Sequence, residues 1–128
     1  ADFNPGHQMS HPTFGDMLLA RLGDHRPGLL FERKRWTWDE FVRECAVRAA
    51  LLGRYAREAG TRIGAREHPR HQTLHVGVLA DNVPEYLFLL GGAALSGVTI
   101  IGVNPTRRGA ELAADIRGVD CDVLLVSA

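Results

Sequence analysis

Residues 74–103 read LHVGVLADNVPEYLFLLGGAALSGVTIIGV: an apolar run, a short polar junction, a segment rich in Gly and Ala, and a second apolar run. The runs LHVGVLA and VTIIGV are short, rich in Val and Ile, and nearly free of polar alternation, which predicts strands buried on both faces. Between them, NVPEYLFLLGGAALSG reads as a helix. Asn82 and Glu85 stand at capping-box spacing, and Pro84 falls in the first turn, where its missing N–H costs little. On this reading Asn82→Ala costs about 1 kcal/mol. Tyr86, Leu87, Leu90 and Ala94 offer a packing face, and Gly91 and Gly92 permit close approach to a sheet.

The same alternation continues downstream, with GAELAADIRG as a helix and CDVLLVS as a strand. A βαβαβ order implies the α/β class, parallel pairing and right-handed crossovers. Upstream the periods differ. In FGDMLLARLG, Phe14, Met17, Leu18 and Leu22 recur at helical spacing, which predicts a short amphipathic helix ended by Gly23. GLLFERKRWTW reads as a hairpin with strands Leu29–Phe31 and Arg35–Thr37 around a charged turn. Thr37 and Glu40 form a capping box for a long helix over 38–59. Its apolar stripe is Phe41, Cys45, Ala49 and Leu52, with Arg43, Glu44, Arg48, Arg54 and Arg57 mostly off it and Gly60 as the stop. TRIGAREHPRHQT, residues 61–73, has no period and reads as a surface loop.

A chain of 128 residues suits one ordinary core. Fifteen basic and fifteen acidic residues cancel, so no global field draws the chain to nucleic acid or to an anionic membrane. The balance is uneven: residues 1–73 hold twelve bases and nine acids, net +3, and residues 74–128 hold three and six, net −3. Cys45 and Cys121 lie far apart, which excludes a cysteine metal knuckle and argues for reduced thiols in the cytoplasm. No apolar run approaches the roughly twenty residues of a membrane span, and the N-terminus lacks the order of a signal peptide. ADFNPGHQ, residues 1–8, is patternless and reads as a foreign leader, with the native sequence starting at Met9.

Open parallel sheets bind ligands beyond the carboxyl ends of their strands, here after Ala80, Val103 and Val126. No G-x-G-x-x-G and no Walker loop stands there. Gly91, Gly92 and Gly97 lie within or just beyond a helix, where packing accounts for them better than phosphate binding. His68, His71 and His75 stand near several arginines as a metal or anion candidate, but their spacing fits no standard motif and a solvated insertion accounts for them. Ser96, His75 and Asp81 lack the strained elbow of a hydrolase, so no catalytic residue is assigned. Asp120 and Asp122 flank Cys121 at a strand start as a metal or acid/base candidate, and the rival reading, solvated turn residues, accounts for them better. Arg107 and Arg108 follow a strand's carboxyl end near a helix start, a place for a nucleotide or coenzyme A phosphate; the rival reading is two solvated arginines.

Together these motifs resemble the amino-terminal portion of the acyl-activating, adenylate-forming enzymes, in particular fatty-acyl-CoA synthetases of the actinobacterial kind. WTWDEF is similar to the family's Thr-Tyr-x-Glu-Leu helix start, and HVGVLADNVPEYLFLLGGAALSGVTIIGVNP is similar to its strand, Asn-x-Pro-Glu turn, helix and strand ending in Asn-Pro. DCDVLLVS matches the next strand. The resemblance spans about residues 13–128, so that 9–128 reads as the N-terminal part of an AMP-binding domain. One departure stands out: Arg108, Gly109, Ala110 and Glu111 replace the family's Thr-Pro-Glu-Glu, which predicts a weaker helix start there.

The resemblance implies a carboxylic acid such as a fatty acid, ATP with magnesium, and coenzyme A as the full-length enzyme's reactants, joined through acyl-AMP. The family's phosphate loop, its Tyr-x-x-Thr-Glu segment, its ribose-binding Asp and its catalytic lysine have no counterpart in these residues. Lys34, the only lysine, lies in the hairpin and cannot take that role. The segment is therefore expected to be inactive alone, with no catalytic or metal-binding residue of its own. Rival readings are an acyl-AMP or aryl-acid ligase and a stand-alone α/β interaction module. A truncated sheet would leave an open edge or an apolar helix face, and with it a homodimer contact.

Overall fold

The computed structural model describes residues 11–64 and 73–127. Residues 1–8, and His68 and His71 of the expected loop, lie outside the described residues. The elements run α1 (Phe14–Leu19), β1 (Pro27–Phe31), β2 (Lys34–Thr37), α2 (Trp38–Gly64), β3 (His75–Leu79), α3 (Pro84–Ser96), β4 (Thr99–Gly102), α4 (Gly109–Gly118) and β5 (Val123–Val126). β1 and β2 form an antiparallel hairpin, and β4-β3-β5 form a parallel sheet with β3 in the middle. Val76 pairs with Ile100 on one side and Val123 on the other. This is the expected α/β order.

The sheet's two faces differ. Val76 packs with Leu52 and Ala59 of α2, Ala93 of α3, and Leu74 and Val98, while Ile100, Val123 and Leu125 close that face. On the opposite face stand Gly77, Leu124 and Val126, and Val126 is 60% exposed. Burial on both faces therefore holds for β3 alone. Among the described residues the flanking strands each have one neighbour, and α4 buries none of its residues.

α2 and α3 are the main layer. A Cβ on Gly92 would stand 2.8 Å from Arg48 Cβ and 3.0 Å from Ala49 N, and one on Gly91 would strike Cys45 Sγ. The expected role of the two glycines is right in kind, but the close partner is a helix rather than the sheet. A second cluster of Leu18, Phe41, Val42, Cys45 and Phe88 seats the hairpin through Leu29 and Trp36. Trp36 meets Phe88 edge-on at 5.6 Å. Gly28 has no room for a side chain, since a Cβ would lie 2.9 Å from Trp38 Cα.

The capping box at α2 is complete: Glu40 N donates to Thr37 Oγ1 at 3.1 Å and Thr37 N donates to Glu40 Oε2 at 3.0 Å. α1 has a second box, unforeseen, between Thr13 and Asp16. The expected apolar face of α1 fails, however. Leu18 is buried while Phe14, Met17 and Leu22 are exposed. The helix ends at Leu19, too short to seat a stripe, and it docks on α3 through Gly15, whose Cβ position lies 3.0 Å from the Ala94 carbonyl oxygen.

Gly60 does not stop α2, which continues to Gly64. An interior glycine costs only about 1 kcal/mol relative to alanine, and Ala59 just before it is held in the core. Arg48 is also not off the packed face. Its guanidinium bonds Glu85 of α3 at 2.5 and 3.0 Å, pairs with Glu44, and lies 4.9 Å over the Phe88 ring.

Asp24 and Asp39 tie α1, the hairpin and α2 together. Asp39 accepts from Gly23 N at 2.8 Å and from Arg43 at 2.9 Å, and Asp24 accepts from Arg26 and Arg21. Hydrogen bonds from Arg26 hold the Asp24 carboxyl well below the usual range, and those from Arg43 and Gly23 lower Asp39. Because both are depressed, their stabilisation is present above the unfolded carboxylate value and is lost as pH falls.

Two outcomes follow. Stability measured by urea unfolding should decline on acidification below about pH 4, and the decline should flatten in Asp24→Asn with Asp39→Asn. Gly91→Ala gains about 1 kcal/mol of helix propensity but overpacks Cys45 at a cost of about 1–3, so a net loss of up to about 2 kcal/mol is expected. Cys45→Ala should recover part of it in the double variant.

Candidate functional site: the crevice beyond β3 and β4

β3 and β4 are neighbours, and right-handed crossovers send the chain from β3 to α3 on one face and from β4 to α4 on the other. The two loops therefore part beyond the carboxyl ends of the strands, the place where open α/β sheets hold ligands. A cavity of about 340 Å³ opens there, lined by Ala80, Asp81, Asn82 and Tyr86 on the β3–α3 side and by Gly102 to Pro105 on the β4 side. The Tyr86 hydroxyl fills the space a Cβ on Gly102 would need.

The β3–α3 junction differs from its expected form. The N-cap of α3 is Val83, with φ −121° and ψ 163° and no side-chain cap bond, and Pro84 is the first helical residue. Proline forces its predecessor out of helical conformation, so Val83 takes the cap position and Asn82 stands one residue too early. Glu85 does not reach back. It is drawn across to Arg48, a partner that local spacing does not reveal.

On the β4 side, Asn104 Oδ1 accepts from Thr106 N at 2.9 Å and Thr106 Oγ1 at 2.7 Å, which fixes the loop. Arg107 donates to Asp115 at 3.0 Å and pairs with Glu111 at 3.3 Å. Arg108 donates to the carbonyls of Pro105 and Arg107. Both guanidinium groups are thus engaged within the loop and α4. Arg108 is also the N-cap of α4 and makes no side-chain cap bond, as the lost family motif implies. The exposed Asp81 adds a negative charge to the crevice and has no ion-pair partner among the described residues.

The remaining candidates do not assemble. His75 opens β3 and Asp81 lies beyond its far end, so the strand's length of about 13 Å stands between them. Asp122 instead clamps the start of the sheet: its Oδ2 accepts from His75 N at 2.9 Å, and its N donates to His75 O at 2.9 Å. Among the described residues no three His, Cys, Asp or Glu side chains converge on a metal position. Among them, too, no helix is long and apolar enough to cross a membrane.

No protein-family model matches the chain. It is 47% identical over 118 residues to a steroid-22-oyl-CoA synthetase of Rhodococcus jostii, across 92% of this chain and 19% of the relative. The chain matches a segment of the acyl-CoA synthetases. It is also 38% identical over 116 residues to a medium/long-chain fatty-acid–CoA ligase of Mycobacterium tuberculosis, across 91% of this chain and 21% of that protein. The chain thus spans about a fifth of the length of these curated relatives. Its fold is that of part of an adenylation domain. An adenylation–carrier di-domain protein from Klebsiella oxytoca matches with TM-score 0.66 at 16% identity, over 90% of this chain and 20% of that one. The AlmE adenylation domain of Vibrio cholerae matches with TM-score 0.62 at 19% identity, over the whole of this chain and 21% of that one.

With no cap bond to lose, Asn82→Ala should change stability by less than about 0.5 kcal/mol, whereas Thr37→Ala should cost about 1. Urea unfolding of the two variants side by side checks the assignment.

Proposed function

We propose that the chain is a framework segment of an ATP-dependent, AMP-forming acid–coenzyme A ligase, and that the crevice beyond β3 and β4 forms one wall of its acyl or coenzyme A passage. The observation that carries this reading is the 47% identity over nearly the whole segment to a protein named as a CoA synthetase. In the complete reaction a carboxylate oxygen attacks the α-phosphorus of ATP, giving acyl-AMP and pyrophosphate. The coenzyme A sulfur then attacks the acyl carbon, AMP leaves with the C–O bond electrons, and the thiol proton is released.

This segment's part is placement. β3 and β4 fix the two lips of the crevice, Tyr86 sets its width against Gly102, and Asn104 holds the β4 lip through Thr106. The described residues offer no ligand set to which the magnesium accompanying ATP can be assigned, and no step is routed through it. The same reading has a fatty acid or other carboxylic acid, ATP and coenzyme A as partners, the cytoplasm as location, and a sheet edge or an apolar helix face as the contact of a homodimer.

ATP–pyrophosphate exchange on this chain with a panel of fatty acids should stay at the blank, and robust exchange would overturn the framework reading. A phosphate role for the two arginines predicts that Arg107→Glu with Arg108→Glu weakens coenzyme A binding measured by calorimetry; unchanged affinity removes them from the site.

A further inference from the structure

We draw no further inference here: the strongest candidate, the groove of about 290 Å³ between the hairpin and the start of α3, is walled by Leu29, Leu30, Phe31, Val83, Pro84 and Leu87 with no charged residue in its lining, and nothing in the structure shows what covers it.

Discussion

Gly91 and Gly92 let α3 lie on α2 at a separation that any side chain there would forbid, and the rest of the structure is arranged around that contact. Close approach brings Phe88 under Arg48 and against Phe41, which makes the seat for Trp36 and so for the hairpin. It also puts Ala93 beside Leu52 above the central strand. Each fully buried Leu, Val or Phe contributes about 1.5–3 kcal/mol, while a half-exposed pair such as Arg48–Glu85 contributes about 1 at most. Packing therefore supplies the stability of the layer, and the ion pair adds a polar link between α2 and α3 beside it.

What local chemistry can decide was readable from the residues. The Thr37 and Glu40 box is a three-residue relation, and the βαβαβ order shows as a change of period along the chain. Where the reading failed, a competing influence outweighed the local signal. Pro84 set the α3 frame ahead of Asn82, core contacts at Ala59 carried α2 past Gly60, and Glu85 found a cation on another helix. The crevice was legible in position, since strand order alone points to the loops after Ala80 and Val103. Its shape was not, because the packing of Tyr86 over Gly102 joins residues that no periodicity links.

The polar groups around the crevice are largely occupied in holding it. Asn104 is engaged by Thr106, Arg107 by Asp115 and Glu111, and Arg108 by two carbonyls. These bonds give both guanidinium groups partners inside the chain and join Asn104 to Thr106 across the turn. The likeness in sequence to CoA synthetases and the likeness in fold to adenylation domains each cover about a fifth of those proteins.

The α2–α3 contact also sorts the two thiols. Cys45 lies fully inside it, and burial pushes its pKa up to about 11, so at neutral pH it is almost wholly the protonated, unreactive form and no oxidant can reach it without parting the helices. Cys121 is only half-buried beside β5 and donates to the Val123 carbonyl at 2.9 Å. With respect to alkylating reagents and peroxide, the folded chain thus behaves as a protein with a single cysteine, and a second reacting thiol becomes a direct signal that α3 has lifted from α2.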